Sequence, residues 1–277
     1  MRRRTRLRQI TVMTLLILVV IVMLFPFVWM LSTSLKPPEE IFAPAPQWIP
    51  TNPTLQNFDY ILGRTSFPRY FLNSVVVALV TMVVSVAVTV FAGYALSRYN
   101  FRGKQTFSLW LLVSQMFPPM LLIVPIFVLM LETGLYNTHA ALVITYGTFA
   151  LPFSTWMMRS YFDTVPLDLE EAAMVDGCTR LQALGRVVLP LASPGIATVA
   201  LFVFILAWQE YMFALTLTRT TEMRTLPVGI SLFLGEYRVL WGSLMAGSVV
   251  VTIPVILLFG YLQRYIVQGL TLGAVKG

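Results

Sequence analysis

Few side chains in this sequence could carry out catalysis. Its single cysteine, Cys178, and its single histidine, His139, supply only two of the about four ligands that a structural zinc site usually takes. Gly103-Lys104 lacks the earlier glycine and the following hydroxyl of a nucleotide-binding phosphate loop. Neither His-Glu-x-x-His nor Gly-x-Ser-x-Gly occurs. We therefore predict that the chain is not an enzyme and binds no metal or cofactor itself.

One acidic residue lies within an apolar segment and is a candidate for function. Glu210 follows Trp208 and Gln209 and precedes Tyr211. A carboxylate in hydrocarbon is costly, so Glu210 either faces the interior or water and lines a path, or lies at the interface because the apolar segment ends near Gln209. The amphipathic rings of Trp208 and Tyr211 either stack on the flat face of a ligand or pack against other side chains. These four residues are the candidate translocation path.

The composition indicates a membrane protein. Of 277 residues, 57% are hydrophobic and 11% are charged, against about 25% charged in an ordinary soluble domain; the mean hydropathy is +0.79. So much apolar surface needs lipid around it. The formal net charge is +7, but the basic residues flank apolar runs, which favours membrane topology over a nucleic-acid partner.

Six apolar segments are each long enough to span a bilayer, which needs about 20 apolar residues. The first has a basic start, like a signal peptide, but its apolar stretch exceeds the roughly 7–15 residues of a signal core. We therefore expect it to be a retained span. The predicted fold is an all-α polytopic membrane helix bundle forming a single domain over residues 1–277, with spans at about 10–33, 71–97, 106–131, 138–160, 194–218 and 241–264.

The distribution of basic residues predicts the orientation. Six spans place both termini on one side of the membrane. That side carries thirteen Lys and Arg residues, and the opposite side carries six. Because cytoplasmic loops are enriched in Lys and Arg, we predict that both termini are cytoplasmic.

The cytoplasmic loop between the fourth and fifth spans, residues 162–190, is termed the coupling loop below. Its first half predicts a short helix, since Asp168 can act as N-cap with Glu171 three residues later, as in a capping box. Gly177 is placed to end that helix in a left-handed conformation.

A second short helix should follow in the same loop. Thr179 can cap it, with Gln182 at the matching third position. Pro190 should stop it, because a proline restrains the residue before it. Ser193 and Pro194 then read as the N-cap and first residue of the fifth span.

The coupling loop resembles the EAA loop of ABC importer permeases. That pattern is Glu-Ala-Ala, three residues, Gly, nine residues, Ile, one residue, Leu-Pro. The matching residues here are Glu171, Ala172, Ala173, Gly177, Val187 in place of Ile, Leu189 and Pro190. The resemblance implies that this loop docks on an ATPase, and it assigns the coupling role to Glu171, Ala172, Ala173, Asp176, Gly177, Leu189 and Pro190.

Two further segments resemble the six-span, maltose-type permeases of the carbohydrate-uptake group. One is the fifth-span string from Phe204 to Tyr211, and the other is the tail from Gln263 to Gly277. In that group the tail contacts the ATPases, which implies contacts for Gly269, Gly273, Lys276 and Gly277. The tail contains three glycines, so we expect a flexible probe rather than a membrane segment.

The resemblance implies an importer of several chains in a bacterial inner or plasma membrane. Its expected partners are a second permease subunit, two ATPase subunits that bind ATP and Mg²⁺, and an extracytoplasmic solute-binding protein. The expected substrate is a sugar or oligosaccharide. A glycerol-phosphate-like or polyol solute is the alternative within the class, and a secondary transporter is the alternative outside it. A secondary transporter would call for internal repeats and ion-coupling carboxylates at mid-membrane.

Overall fold

The structure is a computed structural model that describes residues 2–45, 47–235 and 239–274, with side chains described for residues 9–45, 47–235 and 239–265. Over these ranges it contains helices and connecting turns and no β-strand, so the predicted all-α class is confirmed. The helices are α1 (Arg2–Ser34), α2 (Pro38–Ile41), α3 (Gln56–Gly63), α4 (Phe67–Arg98), α5 (Lys104–Ser114), α6 (Ile123–Glu132), α7 (His139–Thr164), α8 (Leu167–Val175), α9 (Arg180–Ala183), α10 (Leu189–Leu191), α11 (Ser193–Gln209), α12 (Met212–Leu217), α13 (Leu226–Ser231) and α14 (Trp241–Ala274).

Four of the described helices are long and apolar enough to cross a membrane. They are the segments Gln9–Ser34, Phe67–Arg98, His139–Thr164 and Trp241–Tyr265. Two further helix pairs pass the same test but are sharply bent, by 91° between Lys104–Ser114 and Pro119–Glu132 and by 78° between Arg180–Leu191 and Ser193–Gln209. The described residues therefore hold four spans, or up to six if each bent pair is one span.

The third apolar segment is bent because of two adjacent prolines. A proline disfavours the helical region for the residue before it, and Pro118, which precedes Pro119, is extended with φ −63° and ψ 120°. Helix α5 therefore ends at Ser114, and a 3-10 turn from Pro119 to Leu122 leads into α6. The span predicted over 106–131 therefore corresponds to this bent pair of helices.

The last helix extends beyond the predicted end of its span near residue 264. Helix α14 runs from Trp241 to Ala274 and includes Gly269 and Gly273. The flexible tail expected from Gly269 onward is therefore helical as far as Ala274. Once a helix has formed, each added residue costs little, so isolated glycines do not end it. Lys276 and Gly277 lie outside the described residues.

The chain divides into two compact units. The first comprises Met1–Pro68 and Ile230–Ile253, and the second comprises Arg69–Gly229 and Pro254–Gly277. In the first unit, the amide of Asn57 in α3 donates to the carbonyl oxygens of Ser34 and Lys36, each at 2.9 Å. This pair of bonds holds α3 against the end of α1.

A continuous apolar core in the second unit joins the spans to the coupling loop. Its buried members come from α4, α7, α11 and the loop itself: Val90, Tyr94, Ala150, Met158, Phe162, Leu184, Val188, Ala192, Val199 and Val203. Burial of side chains such as Leu184 and Val188 contributes roughly 1.5–3 kcal/mol each. The second half of the coupling loop is therefore part of the core of this unit.

Candidate functional site

Helix α8 forms the first half of the coupling loop. It begins after Pro166, which is extended at ψ 134°, and no side-chain hydrogen bond caps its N-terminus within the described residues. Asp168 lies in the first turn instead of at the N-cap, so the predicted capping box with Glu171 is not formed. The reason is that Pro166 already sets the extended entry to the helix, and the helix starts one residue before Asp168.

Gly177 ends α8 as predicted. Its φ is +89°, in the left-handed region. The N–H of Cys178 donates to the carbonyl oxygen of Ala173 at 3.0 Å, and the N–H of Gly177 donates to that of Met174 at 3.1 Å. This pair of bonds is a Schellman motif, in which glycine is favoured because it has no Cβ. The chain therefore reverses tightly between α8 and α9.

The second half of the coupling loop begins as predicted and ends differently. Thr179 and Gln182 form the expected capping box. The helix does not stop at Pro190, because a π-turn over Leu184–Val188 connects α9 directly to α10. The chain bends only at Ala192, with φ −85° and ψ 6°, and α11 starts at Ser193, which is therefore not its N-cap.

One face of the coupling loop is exposed and contains the residues of the Glu-Ala-Ala motif. Glu171, Ala172, Asp176 and Gly177 are all exposed, Ala173 and Leu189 are half-buried, and Pro190 is exposed. Beside them lie two strongly exposed apolar side chains, Val175 at 87% and Leu181 at 69%. Apolar side chains this exposed, in a loop outside the predicted spans, are typical of a surface that binds another protein.

The opposite face of α8 contains a buried ion pair. Glu170 is 2% exposed, and its Oε2 lies 2.9 Å from Nε of Arg98 at the end of α4. The hydroxyl of Tyr94, one turn earlier in α4, donates to Oε1 of the same carboxylate. Both oxygens of Glu170 are therefore bound by residues four apart on one face of α4.

The guanidinium of Arg98 also binds the segment that precedes α8. One terminal nitrogen donates to the carbonyl oxygen of Val165 at 2.9 Å, and the other donates to Oγ of Ser97 at 3.1 Å. Ser97 in turn donates to Asp163 at 2.6 Å. The buried charge of Arg98 is thus paired and hydrogen-bonded, as a buried charge must be.

Sequence analysis did not identify this ion pair. Arg98 was used only to predict topology, and Glu170 was passed over for Glu171, its exposed neighbour. The available signal was the spacing of Tyr94 and Arg98, which places two polar side chains on one face at the C-terminal end of a span. Their partner lies 72 residues beyond Arg98, which a single sequence does not reveal.

Glu210 caps a short helix at a break in the fifth apolar segment. The backbone N–H groups of Phe213 and Ala214 donate to its two carboxylate oxygens at 2.8 and 3.0 Å. Glu210 itself is extended, with φ −69° and ψ 127°, so α11 ends at Gln209 and α12 starts at Met212. Glu210 is half-buried. Its carboxylate is stabilised at this position because it accepts hydrogen bonds from two backbone N–H groups that have no partner within the helix.

The other three candidate path residues differ in exposure. Trp208 is 4% exposed; its ring stacks on Phe204 at 5.5 Å and meets the edge of Phe71 at 5.9 Å. Gln209 is exposed, and Tyr211 is half-buried. The geometry of Trp208 therefore corresponds to aromatic packing rather than to a ring open for stacking on a sugar.

The connection between α1 and α4 forms an ordered polar segment in the first unit. Glu40 accepts hydrogen bonds from the backbone N–H groups of Thr51 and Asn52 at 3.1 and 2.8 Å. Burial alone would raise the pKa of Glu40, but the hydrogen bonds from Thr51 and Asn52 outweigh it and lower the pKa. Lys36, 2% exposed, lies over the ring of Trp29 at 4.4 Å, and burial lowers its pKa.

A cleft of about 580 Å³ opens beside this segment. Its wall includes charged, amide and aromatic side chains, among them Asp59, Tyr60, Arg64 and Trp241. No group of three or more His, Cys, Asp or Glu side chains suited to a metal occurs in the part of the chain that the structure describes. The chemistry offered by these surfaces is hydrogen bonding and apolar contact.

The all-helical fold, with its apolar helices and the coupling loop before the fifth apolar segment, is typical of a transport permease. The chain belongs to the family of binding-protein-dependent transport system inner membrane components, whose pattern it matches over residues 85–272. That range includes the C-terminal part of α4, the coupling loop and nearly all of α14. The prediction of an ABC importer permease, a transport subunit, is confirmed, and so is the predicted membrane location.

Individual relatives match almost the full chain. The trehalose/maltose transport system permease protein MalG of Thermococcus litoralis is 39% identical, covering 99% of both chains. The inner membrane ABC transporter permease protein YcjP of Escherichia coli is 40% identical, covering 95% of this chain and 94% of the relative. The resemblance to maltose-type permeases is thereby confirmed.

A solved structure shows the same fold. It is a crystal structure of a bacterial ABC transporter involved in the import of the acidic polysaccharide alginate. The matching chain has 25% sequence identity and a TM-score of 0.81, over 95% of this chain and 98% of that chain. This chain therefore shares its overall fold with a chain of a solved ABC transporter.

Proposed function

We propose that this chain is one permease subunit of an ABC importer that brings a sugar or oligosaccharide into the cytoplasm. Hydrolysis of ATP, with Mg²⁺, takes place on separate ATPase subunits. The chain moves in response to that hydrolysis and performs no chemistry itself.

The two-faced coupling loop carries this proposal. Its exposed face offers Glu171, Asp176, Val175 and Leu181 to a partner. Its buried face, through Leu184 and Val188, belongs to the core that α4, α7 and α11 share. A segment bound on one side by an ATPase and on the other by the spans can transmit motion from one to the other.

The partners follow from the family and from the relatives. Binding-protein-dependent transport requires an extracytoplasmic protein that delivers the solute, and the proposed complex adds a second permease and two ATPases. The substrate class rests on relatives such as the trehalose/maltose permease MalG. We assign the residues of the Glu-Ala-Ala motif, with Leu189 and Pro190, to the ATPase contact.

The proposed orientation places both termini and the coupling loop in the cytoplasm. It is supported by the excess of Lys and Arg on that side. The polar segment between α1 and α4 then faces outward, where the solute-binding protein docks. In the second unit, Gln209 and Glu210 remain candidates for the solute path because the helix is interrupted there, as helices at transport sites often are.

The tail is proposed to contact the ATPases through Gly269, Gly273, Lys276 and Gly277. Helix α14 extends toward this end of the chain as far as Ala274. Deleting residues 273–277 should lower transport-coupled ATP hydrolysis and leave membrane insertion intact. Unchanged coupling in the truncated complex would remove the tail from the proposal.

Co-purification with the ATPase tests the proposed function. A tagged permease expressed with its ATPase subunits should retain them in mild detergent. The variant Val175→Glu/Leu181→Glu should lose them, because two charges would then have to be buried in the contact. Ile49→Glu is the matched control, since Ile49 is equally apolar and is 81% exposed on the proposed outer side. Equal retention by all three proteins would contradict the proposal.

A further inference from the structure

The buried face of α8 is fixed to α4 by side chains outside the Glu-Ala-Ala motif. Tyr94 and Arg98 belong to one helix, and Glu170 belongs to another. The hydroxyl of Tyr94 and Nε of Arg98 each bind a different oxygen of the same carboxylate. These three residues are called the α4–α8 link below.

We propose that Glu170 is a positioning residue that makes α8 and the cytoplasmic end of α4 move as one body. This inference rests on the proposed function of the coupling loop, because it assumes that an ATPase displaces α8. It adds a defined route by which that displacement reaches a span.

The construction of α8 explains why such a link is needed. The helix has 9 residues, and isolated helices shorter than about 12–15 residues are marginally stable in water. Its N-terminus has no side-chain cap within the described residues, and its C-terminus turns on the flexible Gly177. A helix held only at its ends would bend or unwind when pulled, and the spans would not follow.

The geometry of the α4–α8 link is suited to carrying force. The side chains of Arg98 and Glu170 are 8% and 2% exposed, so water does not compete for their bond. Tyr94 is further fixed by edge contact of its ring with Phe162, at 5.9 Å and 86°. Because both oxygens of the carboxylate are bound, α8 is restrained in rotation as well as in position.

Arg98 extends the link to the connection between α7 and α8. Its guanidinium holds the carbonyl oxygen of Val165 at 2.9 Å, immediately before α8 begins. A change of the Arg98 side chain therefore also affects its bonds to Val165 and Ser97, whereas a change of Glu170 affects only the contact between α4 and α8. Glu170 is therefore the more selective position for a substitution that tests the contact between α4 and α8.

The experiment uses the whole complex of permease, ATPases and binding protein in lipid nanodiscs. Glu170→Gln keeps the shape of the side chain and removes its charge, and Tyr94→Phe removes a single hydroxyl. Asp168→Asn is the matched control, because it makes the same change on an exposed residue of the same helix. The binding protein is loaded in turn with maltose, trehalose and their oligomers. The sugar that stimulates ATP hydrolysis by the wild-type complex is then used for all variants.

The ratio of stimulated to basal ATP hydrolysis is the decisive readout. Glu170→Gln should lower the ratio by about tenfold, the size of effect found for residues that couple distant sites, while the ATPase still co-purifies through the unchanged exposed face. Tyr94→Phe should lower it less. The double variant should resemble Glu170→Gln alone, because residues that share one link are non-additive. Asp168→Asn should match wild type.

Two results would overturn the inference, and they are distinct from failure of the proposed function. A wild-type ratio in Glu170→Gln shows that α8 transmits motion without the link. Loss of ATPase in proportion to loss of permease, with the ratio preserved in the complexes that remain, shows that Glu170 only supports folding. A wild-type complex that neither retains an ATPase nor responds to any loaded binding protein instead contradicts the proposed function.

Discussion

Gly195 in α11 lies directly against the ring of Tyr161 in α7: a Cβ placed on Gly195 would be 2.3 Å from Cγ of that ring. Only glycine permits this approach, which brings the fifth apolar segment onto the fourth span just after the coupling loop. Small residues commonly provide close helix contacts of this kind in membranes.

Gly195→Ala should destabilise the second unit. The added methyl group would displace the ring of Tyr161, and overpacking of this kind typically costs about 1–3 kcal/mol. Thermal unfolding of the permease in detergent measures the effect. Gly260→Ala is the control, because a Cβ there meets no atom within 4 Å. Equal melting temperatures for both variants would show that α7 and α11 adjust freely.

Glu210→Ala should destabilise α12, because two amide donors lose their acceptors. Removing an N-terminal cap costs about 0.5–2 kcal/mol. Glu210→Gln should cost less, since the amide oxygen still accepts one bond, and it separates the cap from any role of the charge in transport. Thermal unfolding and uptake are measured together, with Gln209→Ala as the neighbouring exposed control. Stable Glu210→Ala protein with reduced uptake would favour a path role over the cap.

Gly177→Ala should loosen the turn between α8 and α9. An L-residue in the left-handed region costs roughly 1–2 kcal/mol, and Gly177 has φ +89°. Gly177→Val should cost more and weaken ATPase attachment. Gly185→Ala is the matched control, because both glycines have open space at the Cβ position and only Gly177 has a positive φ. If the two alanine variants retain equal amounts of ATPase on co-purification, the turn is not required for docking.

The segment between α1 and α4 should loosen at acid pH. The pKa of Glu40 is lowered in the folded protein, so the unfolded segment binds more protons in the interval between the folded pKa and the ordinary value of 4.5. The stabilisation is complete above that value and is lost as pH falls through the folded pKa. Hydrogen exchange at the Thr51 and Asn52 amides, corrected for intrinsic rates, should rise below this interval.

In Glu40→Gln, the amides of Thr51 and Asn52 should be less protected from hydrogen exchange than in wild type at every pH above the folded pKa. Their protection should no longer depend on the titration of residue 40. Glu39→Gln, which changes the adjacent carboxylate, should keep the wild-type profile. An unchanged profile in Glu40→Gln would mean that another group controls the segment.

Some local features were predicted correctly from the sequence and others were not, and the contacts that depend on distant residues were not predicted. The capping box of Thr179 with Gln182 and the left-handed Gly177 each depend on a few neighbouring residues. Pro190 was expected to end a helix, but the π-turn over Leu184–Val188 carries the helix past it. The bond between Arg98 and Glu170 depends on how α4 and α8 meet in space, which one sequence does not specify.

Glu210 shows the same limit in another form. Its charge made it unusual within an apolar segment. Because a carboxylate in hydrocarbon is energetically costly, Glu210 was expected either to line a solute path or to lie at the membrane interface. The bonds to Phe213 and Ala214 arise because the helix breaks at that residue. An end of the apolar segment near Gln209 was one of the two alternatives, but the surrounding sequence, which lacks proline from 195 to 218, does not indicate that a second helix begins at Met212. Physical reasoning identified the residue but not its local role.

Sugar accumulation in proteoliposomes tests the central claim most directly. The complex of both permeases and the ATPases is reconstituted in vesicles, and the sugar-loaded binding protein is supplied either inside or outside the vesicles. Entry of labelled sugar into the lumen is then measured. We predict accumulation that requires ATP and the ATPases and that fails when the ATPases are omitted. Accumulation that persists without the ATPases and follows an ion gradient would identify a secondary transporter and contradict the account.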